Sequence, residues 1–471
     1  MLRQVSSYMI ASIVSAVFGF ALVMVFTRVL TPEEYGIYVV GVGVATLLSS
    51  LLFNWIKTSL LRFSSEGEDV DMRLTAIISF GVIAAISPVA FGVFVQFSGD
   101  TPNYMLGALC VAIGVGLFEF TLEIFRARQR TGLYAVSTIV RSALAFCIAL
   151  ILVLGLDLGG QGLLFGVAGG YFATLLIFMP KIWKRPIHKF DAEILKKMLR
   201  FGLPMTLSGA AFTIHAFVDR LVIVTFLGEA SAGVYGAAAD FVRQIIMMLG
   251  VAIGSAVLPI AIRLFAQNDR AATDRHLAKS FELLMALILP SVVGMALTAE
   301  QLAAFVLGEE FRAAASMLIP ILVFAWLFRS VSYQYIHVSF QLAEKPALMG
   351  VQGLFILTVN VACMAVLVPP YGLSGAAYSL VIAEIGGVAF GFFLCARAYP
   401  LPIIIWPVLK ICLATAIMAV TTVFALNAYQ ANDFVGVLFP VITGATTFGL
   451  AAILLDIAGI RGIIANRLRT A

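Results

Sequence analysis

The chain has 471 residues, of which 62% are hydrophobic and only 12% charged, against roughly 25% charged in a soluble domain. That balance excludes a soluble globular enzyme and marks a polytopic membrane protein, all-α because isolated apolar runs can satisfy their backbone in lipid only as helices. The formal net charge of +5 follows from the side of the membrane on which the loop cations fall, and a nucleic-acid partner is not expected.

Taking about 20 apolar residues per crossing, fourteen transmembrane helices are predicted, at 7–29, 37–61, 74–98, 103–125, 133–155, 161–183, 201–227, 233–262, 279–299, 313–340, 346–368, 374–396, 402–426 and 434–457. The first follows a single cation, Arg3, and ends at Leu30 without an A-x-A cleavage site, so it reads as a span and not as a removed signal peptide. With the N-terminus inside, every loop lysine and arginine except Arg312 falls on the cytoplasmic side. The positive-inside rule therefore predicts two cytoplasmic termini.

The longest polar connection, K181IWKRPIHKFDAEILKKMLR200, separates six spans from eight. It is predicted to form an amphipathic helix on the inner leaflet, with Phe190, Ile194, Leu195 and Met198 against lipid and its lysines near headgroups. The expected organisation is an N-lobe over 1–184, a cytoplasmic linker over 185–200, a C-lobe over 201–396, and two further spans with a cytoplasmic tail over 397–471. The lobes carry matching motifs. L30TPEEYGIYVVG41 aligns with L227GEASAGVYGAA238, pairing Gly36 with Gly233, and G159GQGLLFG166 aligns with G372LSGAAYS379, pairing Gly159 with Gly372 and Gly162 with Gly375. A repeat of two six-helix halves predicts a site at the midplane between them.

Charge inside the spans is the functional signal. The stretch H215AFVDRLVIV224 lies in an apolar run yet holds a histidine, an aspartate and an arginine, each ionised group costing about 2.5–3.5 kcal/mol at bilayer depth. Arg28, Lys57, Arg141, Arg220, Arg243, Arg329 and Lys410 are the intramembrane cations, and Glu119, Glu123, Asp219, Asp240, Glu282 and Glu384 the acids. Two readings stand for Asp219, Arg220, Asp240 and Arg243: a local cluster locking two helices, or the wall of a wet cavity that meets an anion, with Arg28 and Arg329 arriving from other spans. Arginine suits phosphate because its planar fork donates two parallel hydrogen bonds. Glu123 and Arg126, like Asp240 and Arg243, have the i, i+3 spacing of a structural pair.

Several chemistries are set aside. There is no G-x-x-x-x-G-K-[ST] phosphate loop. The four histidines lack metal-ligand spacing, and the five cysteines stand singly in apolar runs. Asp69-Val70-Asp71 sits in a loop too short for a sugar-nucleotide domain, and G250VAIG254 and G387VAFG391 are helix-packing motifs.

Three segments carry a family resemblance: T27RVLTPEEYGIY38, then F201GLP204 continuing into V218DRLVIVTFLGEASAGVYGAA238, and Y371GLSGAAYS379. They are similar to those of polysaccharide-transport (Wzx-type) flippases of the multidrug/oligosaccharidyl-lipid/polysaccharide exporter superfamily. The resemblance implies a protein of the bacterial inner membrane, built of two helical lobes around a cationic cavity, that moves undecaprenyl-pyrophosphate-linked oligosaccharides of the O-antigen, capsule or exopolysaccharide kind by alternating access. It implies a non-enzymatic transporter whose partners are the lipid-linked oligosaccharide, membrane lipids and a glycan polymerase. By it, Arg28 and the Asp219–Arg220 pair match the family pattern. Lys57, Arg243 and Arg329 join the expected substrate-binding set on charge alone, with Asp219, Asp240 and Glu384 as orienting or coupling carboxylates. No cofactor or metal is expected. Any driving force has to come from an H+ or Na+ gradient or from consumption of the product outside. The rival readings are an ion-coupled antiporter of drugs or organic cations from the same superfamily, and a membrane glycan polymerase or ligase using Glu33 and Glu34 as an acid pair.

Overall fold

The computed structural model describes residues 2–65, 72–98, 104–181, 190–402, 404–429 and 434–462, and every regular element among them is helical. Asp69-Val70-Asp71 and residues 185–189 of the linker lie outside the described residues. Eleven helices are long and apolar enough to cross a membrane by length and composition, and the chain is a multi-pass membrane protein. Its exposed surface is inverted relative to a soluble fold. Leu176 is 79% exposed, Phe424 70% and Leu454 71%, while Asp219, Arg220, Arg329 and Glu384 are all buried. Large exposed apolar areas of this kind are what a lipid-facing surface requires.

The chain divides into two compact units, Met1–Gly233 and Val234–Ala471. The first contains α1 (Leu2–Val29), α2 (Pro32–Ser65), α3 (Arg73–Ser98), α4 (Met105–Ala127), α5 (Thr131–Leu150) and α6 (Gly159–Phe178), with the first part of α7 (Ala192–Ala266). α2 packs on α4 and α6, and α5 on α6 and α1. α2 begins five residues before its apolar run, because T31PEE34 is a capping box with proline at the first helical position. The Glu34 carboxylate accepts from Thr31 N at 3.0 Å and Oγ1 at 3.2 Å, and Glu34 N donates back to Thr31 Oγ1 at 3.3 Å.

The expected lipid-facing helix of the linker is corrected by the structure. Residues from Ala192 onward are continuous with the following span in α7, started by Asp191, whose Oδ1 accepts from Glu193 N at 2.8 Å. Ile194 and Met198 do not face lipid. They are buried in a core with Trp55, Leu60, Met72, Phe125 and Phe178, and Ser59 Oγ donates to Met198 O at 2.9 Å.

The second unit holds the rest of α7, α8 (Arg270–Leu297), α9 (Ala299–Val306), α10 (Glu309–Val331), a π-helical turn at Ser332–Ile336, α11 (His337–Leu342), α12 (Ala347–Cys395), α13 (Ile405–Ala428) and α14 (Phe434–Leu454). α10 packs on α12 and α8, and the α13–α14 pair on α8. α8 starts nine residues before the predicted span because Asp269 caps it, accepting from Ala272 N at 2.8 Å; hydropathy marks the buried part of a helix and not its end. Past α12, Tyr399 donates to Asp274 at 2.6 Å. Burial, and then that hydrogen bond, push its hydroxyl up to about 12. G387VAFG391 packs as expected: a side chain at Gly391 would meet Gln352 Nε2 at 2.6 Å.

The matched glycines of the two halves do matching jobs. Where two spans were predicted on either side of 228 and of 372, one long helix is broken at a glycine of positive φ, Gly228 at 84° and Gly372 at 56°. Gly159 has the same left-handed backbone at 52°, which a side chain disfavours. Gly36 and Gly233 meet directly. A Cβ on Gly233 would lie 2.7 Å from Gly36 N, and one on Gly36 would strike the Glu229 carbonyl. Both obstacles are backbone, so neither can yield as a flexible tip would. Gly36→Val is therefore expected to lower stability by about 1–3 kcal/mol, the usual cost of overpacking, while Gly81→Val, which meets nothing within 4 Å, leaves the melting temperature of the purified protein unchanged. Equal melting of the two variants would refute the close approach.

Candidate functional site

In the first unit, one face of α2 carries Thr46, Ser49, Ser50, Asn54 and Lys57 at helical spacing. It opposes Gly116 and Glu119 of α4 and Gly209 and Thr213 of α7 around a cavity of about 270 Å³. Lys57 Nζ donates to Glu119 Oε2 at 2.9 Å, so the cation is paired within the fold and not left to reach for headgroups. Ser50 and Thr213 hydroxyls are 3.1 Å apart. Sequence reasoning took Lys57 from this face and missed the rest; the polar spacing along α2 was the signal. On the same side of α4, Arg126 donates to Glu123 at 2.6 Å, the i, i+3 pair that was expected.

The H215AFVDRLVIV224 stretch lies wholly in this unit. His215, Asp219 and Arg220 are buried. Asp219 Oδ1 accepts from Arg220 N at 3.0 Å, and the Arg220 guanidinium lies 5.1 Å from the Phe217 ring centre, so the aspartate braces the backbone beside an arginine held over an aromatic face. Phe217 in turn is the side chain nearest Gly43 of α2, at 3.4 Å from a Cβ placed there. Arg28 is exposed in the last turn of α1. Arg141 is held between Phe118 and Tyr171 and donates to Ser142 at 2.8 Å.

The second unit holds the other four predicted residues as two pairs. Asp240 and Arg243 are 3.2 Å apart on the surface of α7, with Arg243 half exposed. Arg329 of α10 and Glu384 of α12 form a deeply buried bond, Nε to Oε1 at 2.6 Å, with the guanidinium 4.6 Å from the Trp326 ring centre. Each unit thus holds an ion pair between different helices, the half-exposed Lys57 with Glu119 in the first and the buried Arg329 with Glu384 in the second. The predicted cations divide as Arg28, Lys57 and Arg220 in one unit and Arg243 and Arg329 in the other. Among the described residues there is no cluster of histidine, cysteine and carboxylate side chains fit to hold a metal ion.

Comparison with known proteins places this geometry. Residues 25–316, more than half of the chain, match the model of a family described as polysaccharide biosynthesis protein. The chain belongs to that family. Relatives of this family member include a probable low-salt glycan biosynthesis flippase of Haloferax volcanii, 21% identical over 79% of each chain. A putative O-antigen transporter of Shigella flexneri is 22% identical over 75% of this chain and 87% of its own. Among solved structures, a lipid II flippase, MurJ, in an inward closed conformation superposes with a TM-score of 0.80 at 18% identity, covering 97% of this chain and 99% of that one. An inward-facing multidrug transporter of the MATE family reaches 0.58 at 18% identity, over 84% and 95%. The polysaccharide biosynthesis family member therefore has the fold of the superfamily that its motifs resemble.

Proposed function

We propose that the chain is a flippase that carries an undecaprenyl-pyrophosphate-linked oligosaccharide, an O-antigen, capsule or exopolysaccharide unit, from the cytoplasmic to the outer leaflet of a bacterial inner membrane. It works by alternating access, with fourteen crossings and both termini in the cytoplasm. The observation that carries this reading is the family match over residues 25–316, in a family member whose relatives are named as a glycan flippase and an O-antigen transporter. The fold supports it, since the likeness to a lipid flippase exceeds that to a drug exporter. Arg28 and Arg220 meet the pyrophosphate, Asp219 orients Arg220, and the isoprenoid tail stays in the bilayer. Arg243 and Arg329 join the cationic set when released from Asp240 and Glu384, with which they are paired, and these are the carboxylates through which an H+ or Na+ gradient acts. Such transport moves a substrate without making or breaking a covalent bond. A glycan polymerase is the partner that consumes the product.

The test is transport by the full chain in liposomes holding a fluorescent undecaprenyl-pyrophosphate-linked saccharide in the inner leaflet. Its appearance in the outer leaflet, read by an external quencher, is expected to depend on the protein, to proceed without ATP and to respond to an imposed H+ or Na+ gradient. A chain that leaves the saccharide lipid in place and moves a cationic dye would be an antiporter instead.

A further inference from the structure

The cavity of the first unit has a chemistry that the cationic reading does not use. At about 30 Å³ of liquid per water molecule, its 270 Å³ has roughly the bulk of one sugar ring and is far too small for an oligosaccharide. Its wall mixes polar and apolar surface and carries no net charge. Lys57 is neutralised by Glu119 at 2.9 Å, and the two side chains remain 33% and 45% exposed. A phosphate is held by unopposed arginine or lysine, and here the carboxylate would repel it. A lysine beside a glutamate instead offers N–H donors and a carboxylate acceptor next to each other, the complement of two neighbouring hydroxyls of which one accepts and one donates.

The remaining wall continues that pattern. Asn54 spends one N–H on Thr206 Oγ1 at 3.5 Å, leaving its second N–H and its carbonyl oxygen for a ligand. Ser50 and Thr213 share one hydrogen bond at 3.1 Å, and each hydroxyl keeps capacity beyond it. Phe53 supplies an apolar patch for the C–H face of a ring. Position along α7 links this wall to the buried arginine. Thr213, Phe217 and Arg220 follow at i, i+4 and i+7 on one helix face, so Thr213 and Arg220 are about 10 Å apart along the axis, the reach of a sugar bonded to a pyrophosphate.

We infer that this cavity is the saccharide subsite, that it takes the neutral hexose or N-acetylhexosamine joined directly to the pyrophosphate, and that Asn54, Thr213 and the Lys57–Glu119 pair set which sugar is preferred. The inference rests on the flippase reading above. It assigns Lys57 to the sugar and leaves the pyrophosphate to Arg220.

The experiment uses the full chain in lipid nanodiscs and measures binding of undecaprenyl pyrophosphate, bare or bearing one sugar from a panel of neutral hexoses and N-acetylhexosamines. At least one sugar lipid is expected to bind roughly tenfold tighter than bare undecaprenyl pyrophosphate, the gain that one or two net hydrogen bonds supply. Asn54→Ala and Thr213→Val are expected to erase that gain while the affinity for the bare lipid holds. Arg220→Ala is expected to weaken both lipids alike. If binding of the bare lipid is intact but no sugar improves it, the subsite is refuted and the flippase reading survives. If Asn54→Ala and Thr213→Val weaken both lipids equally, the cavity does not read the sugar. If neither lipid binds at all, the flippase reading falls and takes this inference with it. Thr213→Ser, which keeps the hydroxyl, should retain the gain and separates hydrogen bonding from a general packing defect.

Discussion

Arg329→Ala is expected to destabilise the protein by about 3–5 kcal/mol, the cost of leaving one member of a buried ion pair without its partner. The substitution strips Glu384, 1% exposed, of the guanidinium that donates to it at 2.6 Å, and also removes the side chain that lies over Trp326. Steady-state abundance and the melting temperature of the purified protein read the loss. Glu384→Gln added to Arg329→Ala should restore part of it by removing the stranded charge. The double variant Arg329→Met, Glu384→Leu should restore most of it, because an apolar pair of similar bulk avoids the desolvation of two ions. A double variant that folds and transports assigns the pair to holding α10 against α12. A double variant that folds and does not transport assigns it to the substrate or coupling machinery, and an Arg329→Ala protein as stable as the parent would refute the buried pair itself.

Arg220→Ala is expected to abolish transport of the lipid-linked saccharide while the protein accumulates to near-normal levels. Asp219 engages the backbone N–H of Arg220 at 3.0 Å, and the guanidinium lies over Phe217 with a long 3.4 Å contact to the Ala216 carbonyl. On the flippase proposal this arginine meets the pyrophosphate of the substrate. Arg220→Lys should restore only part of the activity, since the ammonium keeps the charge and loses the bidentate fork that fits a phosphate. Transport in liposomes, scored beside abundance in the membrane fraction, checks the prediction. Depletion of the folded protein by Arg220→Ala, with recovery when Asp219→Asn is added, would show instead that the two residues clamp the helix.

The sequence by itself determined the class of the protein. Lipid forces the backbone to pair within each segment, so long apolar runs marked the chain as helical and multi-pass, and Gly372, which breaks α12, was visible in the matching motifs. It also determined the local pairs. Glu123 with Arg126 and Asp240 with Arg243 are one turn apart on a single helix, and helical geometry brings such residues together whatever surrounds them. Tertiary structure alone decided the partners that come from different helices, Lys57 with Glu119 and Arg329 with Glu384, because periodicity reports which face a residue occupies and not what lies opposite it. It also decided what covers Ile194 and Met198. An apolar face reads the same whether lipid or protein lies against it, lipid tails being as apolar as leucine, and here the core of the first unit took the place assigned to the membrane.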